Sequence, residues 1–276
     1  MMVSNPNYSK HLDLTKDEDY YSNEAGWRYW SVSQYKDFMK CESAALAKLK
    51  EEWEPTSDPK ALLVGNYVHS YFESEQAHTA FKEQNQAKLL KKNGELYRDF
   101  EIAEQMIQRV DKEPFFNFLW QGEKEVPVTG KLFGVEWKGK IDLLNVEEGY
   151  FVDLKTTRAL DNKIWDNNQR RYVSFVEGYG YVIQLGIYEK LLEMEYGKPF
   201  TGYIYAVTKE TPSNVAAIEV PEIDKRIELD FVKENIKWLD EIKNGQERPS
   251  MCGKCEFCRE YKKLNGFIST DELLDG

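Results

Sequence analysis

Two short runs, Gly139-Lys140-Ile141-Asp142 and Val152-Asp153-Leu154-Lys155-Thr156-Thr157, place two carboxylates and an amine close together in the chain. The β-type residues around them predict strands over 135–144 and 150–154, with turn signals at Gly134, Gly139 and Glu148-Gly149. Side chains two apart on a strand share a face, so Asp153 and Lys155 point the same way. Phe151, Val152 and Leu154 mark the second strand as buried, and buried charges must be paired or hold a metal. Two carboxylates suit Mg²⁺, or Mn²⁺ in its place, and a neighbouring lysine can orient a water or offset developing negative charge. The plain alternative is a structural ion pair between Asp153 and Lys155 in an ordinary hairpin.

Two weaker pairs lie on predicted helices. His69 and Glu73 are four apart, as are Gln184 and Tyr188, so each pair shares a helical face. The other histidines, His11 and His78, stand in more polar sequence. The chain has four cysteines, and three of them form C-x2-C-x2-C: Cys252, Cys255 and Cys258. Cys41 is the fourth, far upstream. Four thiols are the number that a tetrahedral Zn²⁺ or a [4Fe–4S] cluster takes. A surface thiol patch with Cys41 in the core is the alternative.

The elements that must position these residues follow from periodicity. Residues 1–30 are polar and turn-rich and read as an extended N-terminal arm. Ser31 to Gln34 fits a capping box, and apolar residues continue at helical spacing to Leu49, with Cys41 inside that helix. Further helices are expected over 61–80, 82–92 and 97–110. Strands follow over 125–129, 135–144 and 150–154. Residues 158–172 read as polar and irregular. A helix over 173–196, strands over 202–208 and 215–220, and a helix over 224–243 complete the order, which is that of an α/β fold. The domain expected is 31–260, including the cysteine group, with 261–276 as a C-terminal tail.

Composition narrows the function. Of 276 residues, 41% are hydrophobic and 31% charged, enough for a sizeable core. No stretch approaches the roughly 20 apolar residues of a membrane span, and the first residues lack a signal-peptide core, so the expected location is cytoplasmic. Net charge is −11, which excludes a nonspecific coat on nucleic acid. It leaves open a confined basic channel or a site where bound cations meet phosphate. Local cations are Lys36, Lys40, Lys48 and Lys50, and Arg158, Lys163, Arg170 and Arg171; most read as a solvated face.

Taken in order, the motifs resemble the PD-(D/E)xK nucleases of the RecB/RecE exonuclease type. That pattern runs G-x-x-x-H, G-x-x-D, D-x-K and Q-x-x-x-Y, met here by Gly65 to His69, Gly139 to Asp142, Asp153 to Lys155, and Gln184 to Tyr188. Ser31 to Cys41 resembles that family's opening helix with its cysteine. The resemblance implies a restriction-endonuclease-like core, a central mixed β-sheet flanked by helices. It implies that His69, Asp142 and Asp153 are metal ligands, together with the backbone carbonyl of Leu154. Lys155 would position the attacking water, Gln184 and Tyr188 would contact DNA near the cleaved phosphate, and Glu73 would help through a bound water or hydrogen bond.

The activity implied is Mg²⁺-dependent (or Mn²⁺-dependent) exonuclease action on linear duplex DNA ends, 5′→3′, in phage or prophage recombination. A ring-like homo-oligomer and a single-strand annealing protein as partner are implied with it. No Walker-type phosphate loop is present, which argues against a helicase-fused form. Some RecB-type nucleases, AddB and the CRISPR adaptation nucleases among them, hold a [4Fe–4S] cluster with one cysteine before the motifs and three after. The order here is the same, but the tight second x2 interval departs from it, and Zn²⁺ is the rival. The other readings are an end-trimming nuclease of the CRISPR-adaptation kind and a noncatalytic DNA-binding or scaffold protein built on a four-cysteine metal site.

Overall fold

A computed structural model describes residues 12–56, 60–166, 170–264, 266–267 and 269–271. Its main helices before the sheet are α1 (Val32–Lys40), α2 (Glu42–Leu49), α3 (Lys60–Glu73), α4 (Glu75–Gln84) and α5 (Arg98–Asp111). Strands β1 (Glu123–Leu132), β2 (Val135–Asn145), β3 (Tyr150–Thr157), β4 (Lys163–Asp166) and β5 (Arg171–Ser174) follow. Then come α6 (Phe175–Gly178), α7 (Tyr181–Tyr196), β6 (Thr201–Thr208), β7 (Val215–Glu219), α8 (Glu222–Lys243) and α9 (Glu256–Glu260). The chain divides into two compact units. One comprises Asp58–Gly130 and Lys138–Val232, and the other Met1–Ser57, Lys131–Trp137 and Lys233–Gly276.

The first unit is built on a mixed sheet of strand order β1-β2-β3-β6-β7. β2 and β3 are antiparallel, β3 and β6 parallel, β6 and β7 antiparallel. A parallel neighbour needs a long crossover, which residues 158–200 supply. The period of two sorts the side chains of β3 onto two faces. Val152 and Leu154 join Leu143, Tyr205 and Val207 in a core with Val64, Tyr67, Val68 and Phe72 of α3 and Phe100, Met106 and Val110 of α5. The alternate residues face α7: the Phe151 ring lies 6.2 Å from that of Tyr188. Fold class is therefore α/β, a central mixed sheet flanked by helices.

The second unit holds the residues around Trp30. Trp30, Tyr35, Phe38 and Trp137 are each 1% exposed or less and pack ring against ring. Lys243 lies 4.5 Å over the Trp30 ring and donates to the Tyr29 carbonyl and Gln34 Oε1. Ser31 caps α1 by accepting from the Gln34 N–H at 3.2 Å, but the Gln34 side chain donates to the Gly26 carbonyl rather than closing the box. Among the described residues no helix is long and apolar enough to cross a membrane.

Several expected elements are divided. Cys41 does not sit inside a helix: at φ −165° and ψ 106° it is extended and separates α1 from α2. The expected helix over 61–80 breaks at Ser74, whose hydroxyl accepts from the Ala77 N–H and starts α4. The run over 82–92 keeps only the turn Gln86–Leu89 as helix beyond α4. Residues 158–172, expected to be irregular, contain β4 and part of β5. The helix expected over 173–196 is two helices parted at Tyr179-Gly180, with Gly180 left-handed at φ 66°. Of the expected extended arm, residues 12–30 fold into short helices, Asp17–Tyr20 and Asn23–Arg28; the rest, with His11, lies outside the described residues. The far end of the expected tail, 272–276, also lies outside them.

Candidate active site and four-cysteine group

The expected site residues His69, Glu73, Asp142, Asp153, Leu154, Lys155, Gln184 and Tyr188 all fall in the first unit. Helix α3 passes β3 where Gly65 leaves room: a Cβ there would lie 3.6 Å from Thr156 Oγ1. One turn later His69 Nδ1 reaches Asp142 Oδ2 at 3.5 Å. The β2–β3 ladder includes Leu143 opposite Val152. One residue beyond it, the Asp142 carboxylate takes the Leu154 N–H at 2.7 Å. The Leu154 side chain itself lies in the core.

On the α7 face of β3, Lys155 Nζ meets Asp153 Oδ2 at 2.7 Å and lies 4.9 Å over the Tyr181 ring. Gln184 Nε2 donates to Asp153 Oδ1 at 2.8 Å, so it fixes the rotation of that carboxylate. Tyr188, 8% exposed, lays its ring on Gly139, where a Cβ would come within 2.5 Å. The glycine of the G-x-x-D run is thus the gap into which a tyrosine of Q-x-x-x-Y fits. His78 is separate: it is 7% exposed, bonded to Ser70 Oγ at 2.9 Å, with Tyr67 and Tyr71 rings edge-on to it. Its setting is core rather than the polar one expected.

One site residue carries no motif in the sequence. Glu125 of β1 offers a carboxylate oxygen within 4.8 Å of ligand atoms from His69 and Asp142. Its backbone is left-handed at φ 52°, rare for a residue with a Cβ and a feature that clusters at functional sites. Lys140 Nζ lies 3.5 Å from it. Glu73, at the C-terminal end of α3, is near enough for its charge to raise the Glu125 pKa. The signal for Glu125 in the sequence is only its charge inside an otherwise strand-like run, before Pro127.

The electrostatics are those of crowded acids beside cations. Burial and then the Asp142 charge push Glu125 up to about 7, against Lys140 and His69. Burial pushes Asp153 up to about 6; Lys155 opposes this and Asp142 adds to it. Burial also raises Asp142, but His69, Lys155 and the Leu154 N–H outweigh it and hold Asp142 below the usual range. For His69, burial is overcome by Asp142, so the imidazole is raised. Burial disfavours the Lys155 ammonium, yet Asp153 and Asp142 lift it to about 12. Among the described residues, the buried Asp153 Oδ2 has no hydrogen bond beyond its ion pair with Lys155. A divalent cation fits His69, Glu125 and Asp142, whose ligand atoms lie within 4.8 Å of one another. Asp153 stands outside that group, its two oxygens engaged by Lys155 and Gln184.

The four cysteines gather in the second unit, although Cys41 is 217 residues from Cys258. The sulfurs lie within 4.8 Å of one another, Cys41 to Cys258 at 3.6 Å and Cys252 to Cys258 at 3.8 Å. The break at Cys41 and the N-cap position of Cys255 on α9 aim the thiols together. N–H groups of Cys255 and Cys258 point at Cys252 and Cys255 sulfurs at 3.4 and 3.5 Å. Burial raises the Cys252 thiol, but the backbone N–H groups of Lys254 and Cys255 outweigh it and bring it to about 6. Burial pushes Cys258 up to about 12. Sulfurs in van der Waals contact leave room for one central ion. Tetrahedral Zn–S bonds of about 2.3 Å put sulfurs about 3.8 Å apart. In a [4Fe–4S] cluster each thiolate binds a different iron, which spreads the sulfurs around a much larger body.

Comparison with known proteins places this geometry. Residues 31–261 match the model of a PDDEXK-like domain of unknown function, DUF3799, and the chain belongs to that family. The crystal structure of a "Putative exonuclease" from Eubacterium rectale is similar at 34% identity and a TM-score of 0.88, covering 96% of this chain and 100% of that one. A solved structure of SSO0001 matches at 18% identity and a TM-score of 0.30, over 77% of this chain and 90% of that one. A search of curated proteins finds no match.

Proposed function

We propose that the chain is a divalent-cation-dependent deoxyribonuclease that works as an exonuclease on linear duplex DNA. The observation that carries this is the convergence of His69, Glu125, Asp142, Asp153, Lys155 and Gln184 at the open end of the β2–β3 ladder. The exonuclease name of the Eubacterium rectale protein supports it. His69, Asp142, Asp153, the Leu154 carbonyl and Glu125 would hold Mg²⁺ or Mn²⁺. The cation would activate water and neutralise phosphate charge.

The remaining work falls to this chain's own side chains. Lys155 pairs with Asp153 at 2.7 Å, and the Asp153 and Asp142 charges favour its ammonium form. It orients the attacking water and offsets charge building on the phosphate oxygens. Gln184 keeps Asp153 turned toward the site. Tyr188 sets the β2 backbone behind Asp142 through Gly139. The 5′→3′ direction, the recombination role, the annealing partner and the homo-oligomer follow from the resemblance to RecE-type enzymes. Asp153→Ala should abolish cleavage, and Lys155→Ala should lower kcat by about 10² to 10³, with both variants still folded by circular dichroism. Full activity in Asp153→Ala would refute the site.

For the cysteines, the short sulfur–sulfur distances support one structural Zn²⁺ rather than the [4Fe–4S] cluster that the resemblance favours. The ion would join the segment before the motifs to the segment after them within the second unit.

A further inference from the structure

We propose that the outer face of the β4–β5 ribbon is a stacking platform for the unpaired bases of single-stranded DNA entering the active site. The proposal rests on the nuclease reading and names the form of substrate strand that the site receives.

The ribbon is a two-stranded sheet of its own. Cross-strand partners share a face. Ile164 stands opposite Val173, and Trp165 opposite Tyr172. The Ile164–Val173 side is turned inward: Val173 is buried, and Ile164 fills the space where Gly178 of α6 lacks a Cβ. Trp165 and Tyr172 therefore face outward, 49% and 63% exposed, with rings 5.1 Å apart. Two adjacent large aromatics on a solvent face offer flat apolar rings on which a base can stack.

Both ends of the ribbon lead into the site. It begins after β3, which carries Asp153 and Lys155. It ends through α6 into Tyr179 and Tyr181, whose rings lie 5.9 Å apart, and Tyr181 lies 4.9 Å from Lys155 Nζ. The chain thus carries the exposed aromatic pair of the ribbon and, directly after it, the tyrosines that reach the lysine expected to meet the scissile phosphate.

Charge selects the occupant. The chain is acidic overall, yet Lys155 to Arg171 holds five cations (Lys155, Arg158, Lys163, Arg170, Arg171) against two acids (Asp161, Asp166). Lys163 shares the outward face with Trp165, and Arg158 and Arg170 are exposed. Arg171 is engaged by Glu177 at 3.0 Å and is not counted toward the phosphates. Aromatic faces beside cations are how proteins hold single strands without reading sequence. A duplex keeps its bases stacked and offers the aromatics nothing, so the platform takes a frayed or single-stranded end.

The test is fluorescence anisotropy of labelled oligo-dT with the full chain, Ca²⁺ replacing Mg²⁺, and the oligonucleotide checked for integrity on a gel. The W165A/Y172A double variant should bind about 10- to 100-fold more weakly, from the usual loss per stacked base. Its dependence on salt should be unchanged, because stacking releases no counterions, whereas K163A/R170A should flatten that dependence. W165F/Y172F should bind within about threefold of wild type. Equal binding by W165A/Y172A would overturn the platform. So would loss of self-association in that variant with DNA affinity intact, which would give the face to a second copy. Mg²⁺-dependent cleavage of linear duplex by the wild type reads the nuclease assignment separately. A wild type that cleaves but does not bind oligo-dT loses the platform alone, and one that does neither loses both.

Discussion

Glu125 shows what single residues add to this site. Its carboxyl is raised to about 7 because burial and Asp142 disfavour its charge. A carboxyl raised above its ordinary value of 4.5 stabilises the fold most below that value and loses this contribution as pH rises toward 7. Without added divalent cation, the melting temperature should therefore fall as pH rises from about 5 to about 8. A bound cation would offset that repulsion. Glu125→Gln should flatten the pH dependence, raise the cation-free melting temperature at pH about 8, and weaken the stabilisation given by added Mn²⁺. A thermal-shift series over pH and Mn²⁺ reads all three, and an unchanged Mn²⁺ response would remove Glu125 from the ligand set.

Elements explain which parts could be read from the sequence. The strand period of two puts Asp153 and Lys155 on one face, whereas His69, Asp142 and Gln184 are singled out only by the ordered motifs that resemble the PD-(D/E)xK family. The structure brings Asp142 against His69 and Gln184 against Asp153. Glu125 was not accessible, because it joins the site through a left-handed backbone position that no period encodes. The β4–β5 ribbon was missed because each strand is four residues long and buries a single face, leaving a mostly polar string. Apolar spacing continues through Cys41 and hides the break there, where the thiol meets cysteines more than 200 residues away. That contact makes its own prediction. The protein as purified should contain about one zinc per chain and be colourless, and Cys258→Ser should lose the zinc and melt at lower temperature. Iron with acid-labile sulfide in stoichiometric amounts would instead establish the cluster.

For the molecule as a whole, the balance of charge frames how it meets DNA. A net charge of −11 gives no general attraction to phosphate. On the proposed reading, contact comes from bound cations and from the local basic stretch that begins at Lys155. Raising NaCl from about 50 to about 200 mM should therefore lower kcat/KM on linear duplex by about tenfold at fixed Mg²⁺, the loss expected of about two phosphate contacts. Insensitivity to salt would point to a mode of binding outside this account. The two units divide the labour that the motifs mapped onto one stretch of sequence: one holds the acids and Lys155, the other the four thiols.

The most direct measurement is a time course on linear duplex DNA labelled at one end of one strand at a time, with Mg²⁺ and then with EDTA. The account predicts Mg²⁺-dependent loss of label from the 5′ ends, abolished by EDTA and by Asp153→Ala. Intact DNA under Mg²⁺ and Mn²⁺, from folded protein that retains its cysteine-bound metal, would contradict it.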